Sequence, residues 1–332
     1  MCPPHDTAIQ PQWPLVSLVR KCAVRKAHRP MKLFLVTILL LFAASGAYVH
    51  LRGRVRHRVG RQVFDHSTFT APMNVFMYAF SRVPTTPYLE PAAFPHLLKL
   101  SDNWQVIRDE GVKLMELQKI KAADSHNDAG FNSFFKTGWK RFYLKWYDDA
   151  HPSAAALCPQ TTALLREIPE VKAAMFAELP DGAKLGRHRD PYAGSLRYHL
   201  GLSTPNDDRC FLDVDGQRYS WRDGQGVVFD ETFIHYAENR SGQNRLILFC
   251  DIERPMKTRW AQRLNHWLGK NIVAAGASPN DAGDKTGFIN RIFIVSHVAG
   301  QYRRRFKRWN PTVYRVTKTL LLIAIVAAIF FL

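Results

Sequence analysis

Cysteine is scarce in this chain, with five in 332 residues (Cys2, Cys22, Cys158, Cys210 and Cys250) and no C-x-x-C pair among them. That spacing excludes a cysteine-rich zinc cluster, and the five are expected to be free thiols in a reducing compartment. Acidic residues are also few, 28 against 46 Lys and Arg, for a formal net charge of +18. Such an excess asks for an anionic partner, either nucleic acid or an anionic membrane face. No nucleic-acid motif is present, so no nucleic acid is expected. Internal repeats and low-complexity tracts are missing as well. With 46% hydrophobic residues, the chain is expected to bury one sizeable core with segments on either side.

Long apolar runs are nearly absent. Leu33 to Val49 is the longest, 17 residues interrupted by Thr37, Ser45 and Tyr48, which is at the short end for a membrane span. Arg52, Arg54, Arg56, Arg58 and Arg61 follow at once and resist export, so an uncleaved anchor over 33–51 is expected. Leu320 to Leu332 is purely apolar. Thirteen helical residues reach only about 20 Å, so a C-terminal membrane segment over 313–332 requires Arg315 and Lys318 to snorkel. Basic clusters inside both ends place the intervening chain on the cytoplasmic side of a bacterial inner membrane. The basic extension 1–32 opposes that orientation, and translation is expected to begin at Met31. Between 257 and 312 lies a basic amphipathic, membrane-proximal region. There Trp260, Leu264, Trp267 and Leu268 share one helical face and Arg259, Arg263 and Lys270 supply charge.

The middle of the chain carries periodic patterns. Residues 52–100 form a lead-in, and the Pro-rich stretch from His66 to Pro95 is expected to be extended. The domain proper is expected over 101–256. Trp104, Ile107, Leu114, Met115 and Leu117 mark a helix between Trp104 and Ala122. A short helix is expected from Thr161 to Ile168, capped near Pro159. From Val171 to Arg254, strand-like runs alternate with turns at Asp181-Gly182, Pro205-Asn206-Asp207, Asp215-Gly216, Asp223-Gly224 and Ser241-Gly242. Strands at this spacing point to a β-sandwich or barrel.

One constellation carries chemistry. His188-Arg189-Asp190 forms an H-x-D pair, and His235 follows the strand-like run Gly226 to Phe229. Two imidazoles and a carboxylate are the facial ligand set of non-haem Fe(II), which leaves positions for a co-substrate and O₂. Thirteen histidines make a single H-x-D match common, so the strand-end context is what raises it above a surface pair. Ten residues beyond His235, Arg245 begins an apolar run, as a bidentate partner for a dicarboxylate such as 2-oxoglutarate would. Asp213 and Asp215 are alternative ligands, but Asp215-Gly216 reads as a hairpin turn.

These residues resemble the aspartyl/asparaginyl β-hydroxylase family of Fe(II)/2-oxoglutarate dioxygenases. The matching pieces are Leu196 to Leu202, Trp221 with Gly224, Phe229 to His235, Arg245, and Asp251 to Pro255. Asn103 to Glu110 and Gly138 to Phe142 match further upstream. Within the family the chain most resembles the bacterial lipid A 2-hydroxylase subgroup. The resemblance implies a mainly β fold with flanking helices, a double-stranded β-helix or jelly roll. It implies iron on His188, Asp190 and His235, the distal carboxylate of 2-oxoglutarate on Arg245, and Arg197 and His199 toward its other end. The animal branch lacks the metal-binding carboxylate that Asp190 supplies here. It has a hydroxyl side chain where Ala177 aligns, so a second co-substrate contact is in question.

The expected activity is hydroxylation at the 2-position of a secondary acyl chain of lipid A or its precursor, at the cytoplasmic leaflet. A membrane-tethered hydroxylase of Asp or Asn in peptides is the first alternative. A non-enzymatic binder of anionic lipid is the second.

Overall fold

The computed structural model describes residues 33–34, 36–123, 127–147 and 149–331. The extension 1–32, with Met31, Cys2 and Cys22, lies outside them. Among the described residues, eleven strands form two sheets. They are β1 (Tyr88–Leu89), β2 (Lys140–Trp146), β3 (Asp149–Ala150), β4 (Val171–Leu179), β5 (Lys184–His188), β6 (Ser195–Ser203), β7 (Cys210–Val214), β8 (Gln217–Ser220), β9 (Gly226–Phe229), β10 (His235–Asn239) and β11 (Arg245–Glu253). The larger sheet has the order β1-β9-β6-β11-β4-β2-β3, and the smaller β5-β10-β7-β8. From β4 to β11 the chain passes back and forth between the sheets, and every pairing is antiparallel. This is the strand order of a jelly roll, the mainly β architecture expected.

Side-chain alternation along the strands decides what faces what. In β11, Leu246, Leu248, Cys250 and Ile252 belong to one core cluster and Ile247 and Phe249 to the other. In β6, Leu196, Tyr198, Leu200 and Leu202 join the first cluster. The odd-numbered Arg197, His199, Arg245 and Asp251 therefore point between the sheets. Helices Trp104–Glu116 and Pro159–Arg166 cover the outer face of the large sheet. A Cβ on Gly111 would come within 3.0 Å of the Phe176 ring, so the first helix lies close on the sheet because it has glycine there. Glu110 accepts hydrogen bonds from the amides of Gln160 and Thr161, at 3.0 and 2.8 Å. A carboxylate borrowed from one helix thus satisfies the N-terminus of the other.

Two expectations change. The Pro-rich stretch from His66 to Pro95 is extended only in its later part. Its start forms the helices His66–Phe69 and Ala71–Ala79. The Asp65 side chain caps the first of these, and Pro72 sits in the opening turn of the second, where its missing N–H removes no hydrogen bond. Secondly, no helix among the described residues is long and apolar enough to cross a membrane. The spans expected over 33–51 and 313–332 are therefore not borne out by the described residues. The helix Pro311–Phe331 carries Arg315, Lys318 and three threonines in its first ten residues. The helix over 36–51 buries Ser45 and Val49 against the domain.

The chain leaving that helix is fastened by charge. Asp230 is fully buried. It accepts hydrogen bonds from Arg254 at 2.8 Å and from Arg52 at 2.5 Å. Burial alone would raise the Asp230 pKa, but Arg254 and Arg52 beside it reverse the sign and hold the carboxyl below its usual range. Asp230→Ala is expected to lower the unfolding free energy by about 3–5 kcal/mol, because two buried guanidinium groups lose their counter-charge. Denaturant unfolding measures this, and a midpoint equal to that of the wild type would show that the cluster does not hold the segment.

Candidate functional site

His188 ends β5 and His235 begins β10, and the two are register partners across the antiparallel pair. Their rings lie 4.2 Å apart between centroids. Asp190 Oδ1 is 3.5 Å from His188 Nε2. One ligand atom from each of His188, Asp190 and His235 lies within 4.8 Å of the others, close enough for one ion. The tautomers suit this. His188 Nδ1 donates to the Gly186 carbonyl at 2.7 Å, and His235 Nδ1 donates to the Phe233 carbonyl at 3.0 Å. A carbonyl oxygen can only accept, so each Nε2 is left with its lone pair for a metal. Burial, and then His188, push the His235 pKa down to about 3, so this imidazole is neutral at ordinary pH.

Arg197 orients the carboxylate. It donates to Asp190 Oδ2 at 2.8 Å and leaves Oδ1 toward the histidines. The same guanidinium pairs with Glu231 and, at 2.8 Å, with Asp251. It also lies 3.8 Å from the Phe249 ring centroid. Burial works to raise the Asp190 pKa, but Arg197, foremost among the neighbouring groups, holds it below the ordinary carboxylate range. Glu231 goes the other way: burial drives its pKa well up, and Arg197 offsets only part of that. The donor set therefore consists of a carboxylate held ionised and two imidazoles whose Nδ1 atoms are engaged by backbone carbonyls, which fits Fe(II).

Behind these residues lies a small cavity, about 30 Å³, lined in part by Phe134, Trp139, His199, Trp221 and Phe249. Arg245 opens into it. This arginine is 2% exposed and lies 4.3 Å from the Trp221 ring centroid. Among the described residues its guanidinium has no hydrogen-bond or ion-pair partner, and Nε is buried unpaired. Burial lowers its pKa to about 10. His199 is also buried, with neither ring nitrogen partnered. Burial, then the charges of Arg197 and Arg245, keep its pKa well below the usual histidine value.

The structure thus brings His188, Asp190 and His235 together and places Arg245 and His199 on the wall of the same cavity. Arg197 lines the cavity too, but its charge is taken up by three carboxylates rather than left open toward a co-substrate. Ala177 is fully buried in the core between the sheets and supplies no polar group. Asp213 and Asp215 stay outside the site. Asp213 accepts from the Gly216 amide at 2.9 Å, and Asp215 adopts the left-handed turn conformation, φ 56°. Glu231 and Asp251 were read only as pieces of motifs. The signal for Asp251 lies in strand register, where it is opposite Arg197, and Glu231 sits in the turn between β9 and β10, which no register pattern reaches.

A profile of the family described as Aspartyl/Asparaginyl beta-hydroxylase matches residues 101–255. The chain is 31% identical over 197 residues to an ornithine lipid ester-linked acyl 2-hydroxylase of Rhizobium tropici, covering 58% of this chain and 69% of that protein. It is 27% identical over 195 residues to the human aspartyl/asparaginyl beta-hydroxylase, covering 56% of this chain but 25% of the human protein. Among solved structures, a Pseudomonas putida prolyl-4-hydroxylase aligns with a TM-score of 0.30 and 18% identity, covering 47% of this chain and 88% of that one. The fold assignment rests on the strand order instead.

Replacing either histidine tests the ligand set. His188→Ala and His235→Ala are each expected to weaken divalent-metal binding by more than the roughly 10–100-fold that follows loss of a supporting group. Anaerobic Fe(II) titration of the folded variants measures it, and wild-type affinity in either variant would remove that residue from the site.

Proposed function

The chain belongs to the aspartyl/asparaginyl β-hydroxylase family, and from that premise we propose a membrane-associated Fe(II)/2-oxoglutarate dioxygenase that hydroxylates the 2-position of an acyl chain on lipid A or its precursor. The observation that carries the chemistry is the unpaired Arg245 charge in the same cavity as His188, Asp190 and His235. A buried cation without a partner costs several kcal/mol. A dicarboxylate reaching from the metal to Arg245 removes that cost, and the planar guanidinium suits a bidentate carboxylate.

His188, Asp190 and His235 would hold the iron. With iron bound, O₂ and 2-oxoglutarate would be consumed, succinate and CO₂ formed, and one oxygen atom inserted into a C–H bond of the substrate. The chain's own groups supply position and dryness. Arg245 anchors the far carboxylate, and neutral His199 is free to donate a hydrogen bond beside it. Arg197 fixes the Asp190 plane so that Oδ1 faces the metal. Phe134, Trp139, Trp221 and Phe249 exclude water and offer an apolar wall.

For the substrate, two observations support a lipid. The Rhizobium tropici relative is named for an acyl 2-hydroxylase. The helix Arg259–Asn271 contains no acidic residue and exposes Trp260 (52%), Leu264 and Trp267 (55%) next to Arg259, Arg263 and Lys270. Leu268, expected on the same stripe, instead packs inward with Ala261. Exposed tryptophans beside a basic stripe suit the headgroup region of an anionic leaflet, and the basic balance favours the cytoplasmic one. A peptide hydroxylase remains the second reading, favoured by the name of the human relative.

Arg245→Ala is expected to raise the 2-oxoglutarate concentration needed for half-maximal turnover by roughly 30-fold or more, the equivalent of at least about 2 kcal/mol for a lost buried charge pair. Succinate formation at varied 2-oxoglutarate measures it, and an unchanged requirement would free Arg245 from the role. Mass analysis of lipids from cells with and without the gene is expected to show a gain of one oxygen on lipid A. A gain on ornithine lipid, or activity only on peptides, would replace the substrate and leave the site intact.

A further inference from the structure

The segment that leaves the N-terminal helix touches both halves of the metal site, although it lies well before the residues 101–255 that carry the family pattern. On one side, the Val49 carbonyl accepts a 2.5 Å hydrogen bond from Arg189. Arg189 is the residue between His188 and Asp190. It is buried, and its Nε and Nη2 have no other partner. On the other side, Arg52 enters the loop that leads to His235. Its guanidinium donates to Thr232 Oγ1 at 2.6 Å and to Asp230 Oδ2 at 2.5 Å. It lies 3.8 Å from the Phe233 ring centroid and 3.9 Å from that of Tyr78. Phe233 is the residue whose carbonyl fixes the His235 ring. A third tie holds the same segment in place, because the amides of Arg54 and Val55 donate to the Asp215 carboxylate at 2.9 and 2.8 Å.

We propose that Val49–Val55 is a clamp across the metal site and that Arg52 is its positioning residue, holding the Asp230–Phe233 loop that aims His235 against the His188/Asp190 segment. Those two segments are also joined by strand pairing, since His188 and His235 are register partners where β5 meets β10, with the register slipping between His235 and Ala237. The Asp190 amide donates to the Glu231 carbonyl at 2.9 Å, and the Arg197 side chain bridges Asp190 and Glu231. Both ties act on the backbone and side chains of Asp190 and Glu231. Neither acts on Phe233, the residue whose carbonyl aims His235. Arg52 does, because Phe233 lies under its guanidinium while Thr232 and Asp230 hold its nitrogens. A metal that needs three donors on one face is sensitive to their spacing, so the clamp converts the docking of a segment outside the domain into metal affinity. The inference rests on the iron reading above and names residues that the reading does not use.

The test compares metal binding with stability in the full chain. Arg52→Ala is expected to bind Co(II) with an affinity lower by about 10–100-fold, the range for loss of a group that orients a ligand. Its Co(II) visible spectrum is expected to change. Arg52→Lys keeps the charge without the planar group over Phe233 and is expected to fall between wild type and Arg52→Ala. Asp215→Asn, which loosens the third tie without touching Arg52, is expected to weaken binding less. A merely structural role would lower the unfolding temperature of the metal-free protein and leave affinity and spectrum unaltered in the folded protein. That result overturns the proposal. If Arg52→Ala does not fold, the Arg52→Lys and Asp215→Asn comparison decides by the same criterion. Absence of Co(II) or Fe(II) binding by the wild type overturns the iron reading and this inference with it. Wild-type binding with unaltered binding by the folded variants overturns this inference alone.

Discussion

The Arg197 guanidinium is the hub on which the site is built. It is buried with three carboxylates around it, from Asp190, Glu231 and Asp251. Removing one charge from such a set leaves the others uncompensated in a medium that solvates them poorly. The hub also ties together chain segments far apart in sequence. Arg197 belongs to β6, Asp251 to β11, Glu231 to the turn between β9 and β10, and Asp190 to the link between β5 and β6. The Asp190 carboxylate, proposed as a metal ligand, is thereby held by the large sheet, while both histidines belong to the small sheet. The ligand set spans the sandwich and depends on the two sheets keeping their spacing.

The contrast between Arg197 and Arg245 separates structure from function within one cavity. Both are buried arginines on the inward face of the large sheet. Burial penalises both charges. For Arg197 the surrounding carboxylates outweigh that penalty and its pKa rises, whereas for Arg245 nothing comparable is near and its pKa falls to about 10. A guanidinium that is satisfied within the chain holds the fold together, and one left unsatisfied on the wall of a cavity lined by aromatic rings is poised for a ligand from outside. Bare composition would class the two residues together, and only the pairing distinguishes them.

Much of this was legible in the sequence, for identifiable reasons. The alternation from Leu196 to His199 shows which side chains share a face, the unbroken apolar run from Leu246 to Cys250 marks a strand buried on both sides, and the turn dipeptides mark where strands reverse. The H-x-D pair and the distant histidine therefore pointed to one place. Arg197 was the harder residue. Its position on the inward face was readable, but whether its charge meets a co-substrate or a carboxylate depends on β6 pairing with β11, which no local pattern encodes. The helix Ala71–Ala79 was masked by the density of prolines around it, although Pro72 occupies a helix-opening position. Hydropathy over 33–49 likewise does not report that Arg52, Arg54 and Val55, immediately after it, bond to Asp230 and Asp215 of the domain.

That last point bears on how the parts of the chain work together. The exposed apolar side chains of helix 36–51 and the Trp260–Trp267 stripe both adjoin one small cluster, which includes Val49, Met77, Tyr192, Met256 and Ala261. Phe76 and Phe80, on Ala71–Ala79, pack their rings 5.6 and 4.8 Å from that of Trp260. Tyr192 and Ala193 belong to the same link that carries Asp190, and the Tyr192 hydroxyl donates to the Asn265 carbonyl on the helix Arg259–Asn271 at 3.0 Å. The surface proposed to meet a lipid headgroup and the segment that carries Asp190 therefore share one packed cluster. Within a cluster of that density, a displacement of the helix is transmitted to its neighbours rather than absorbed.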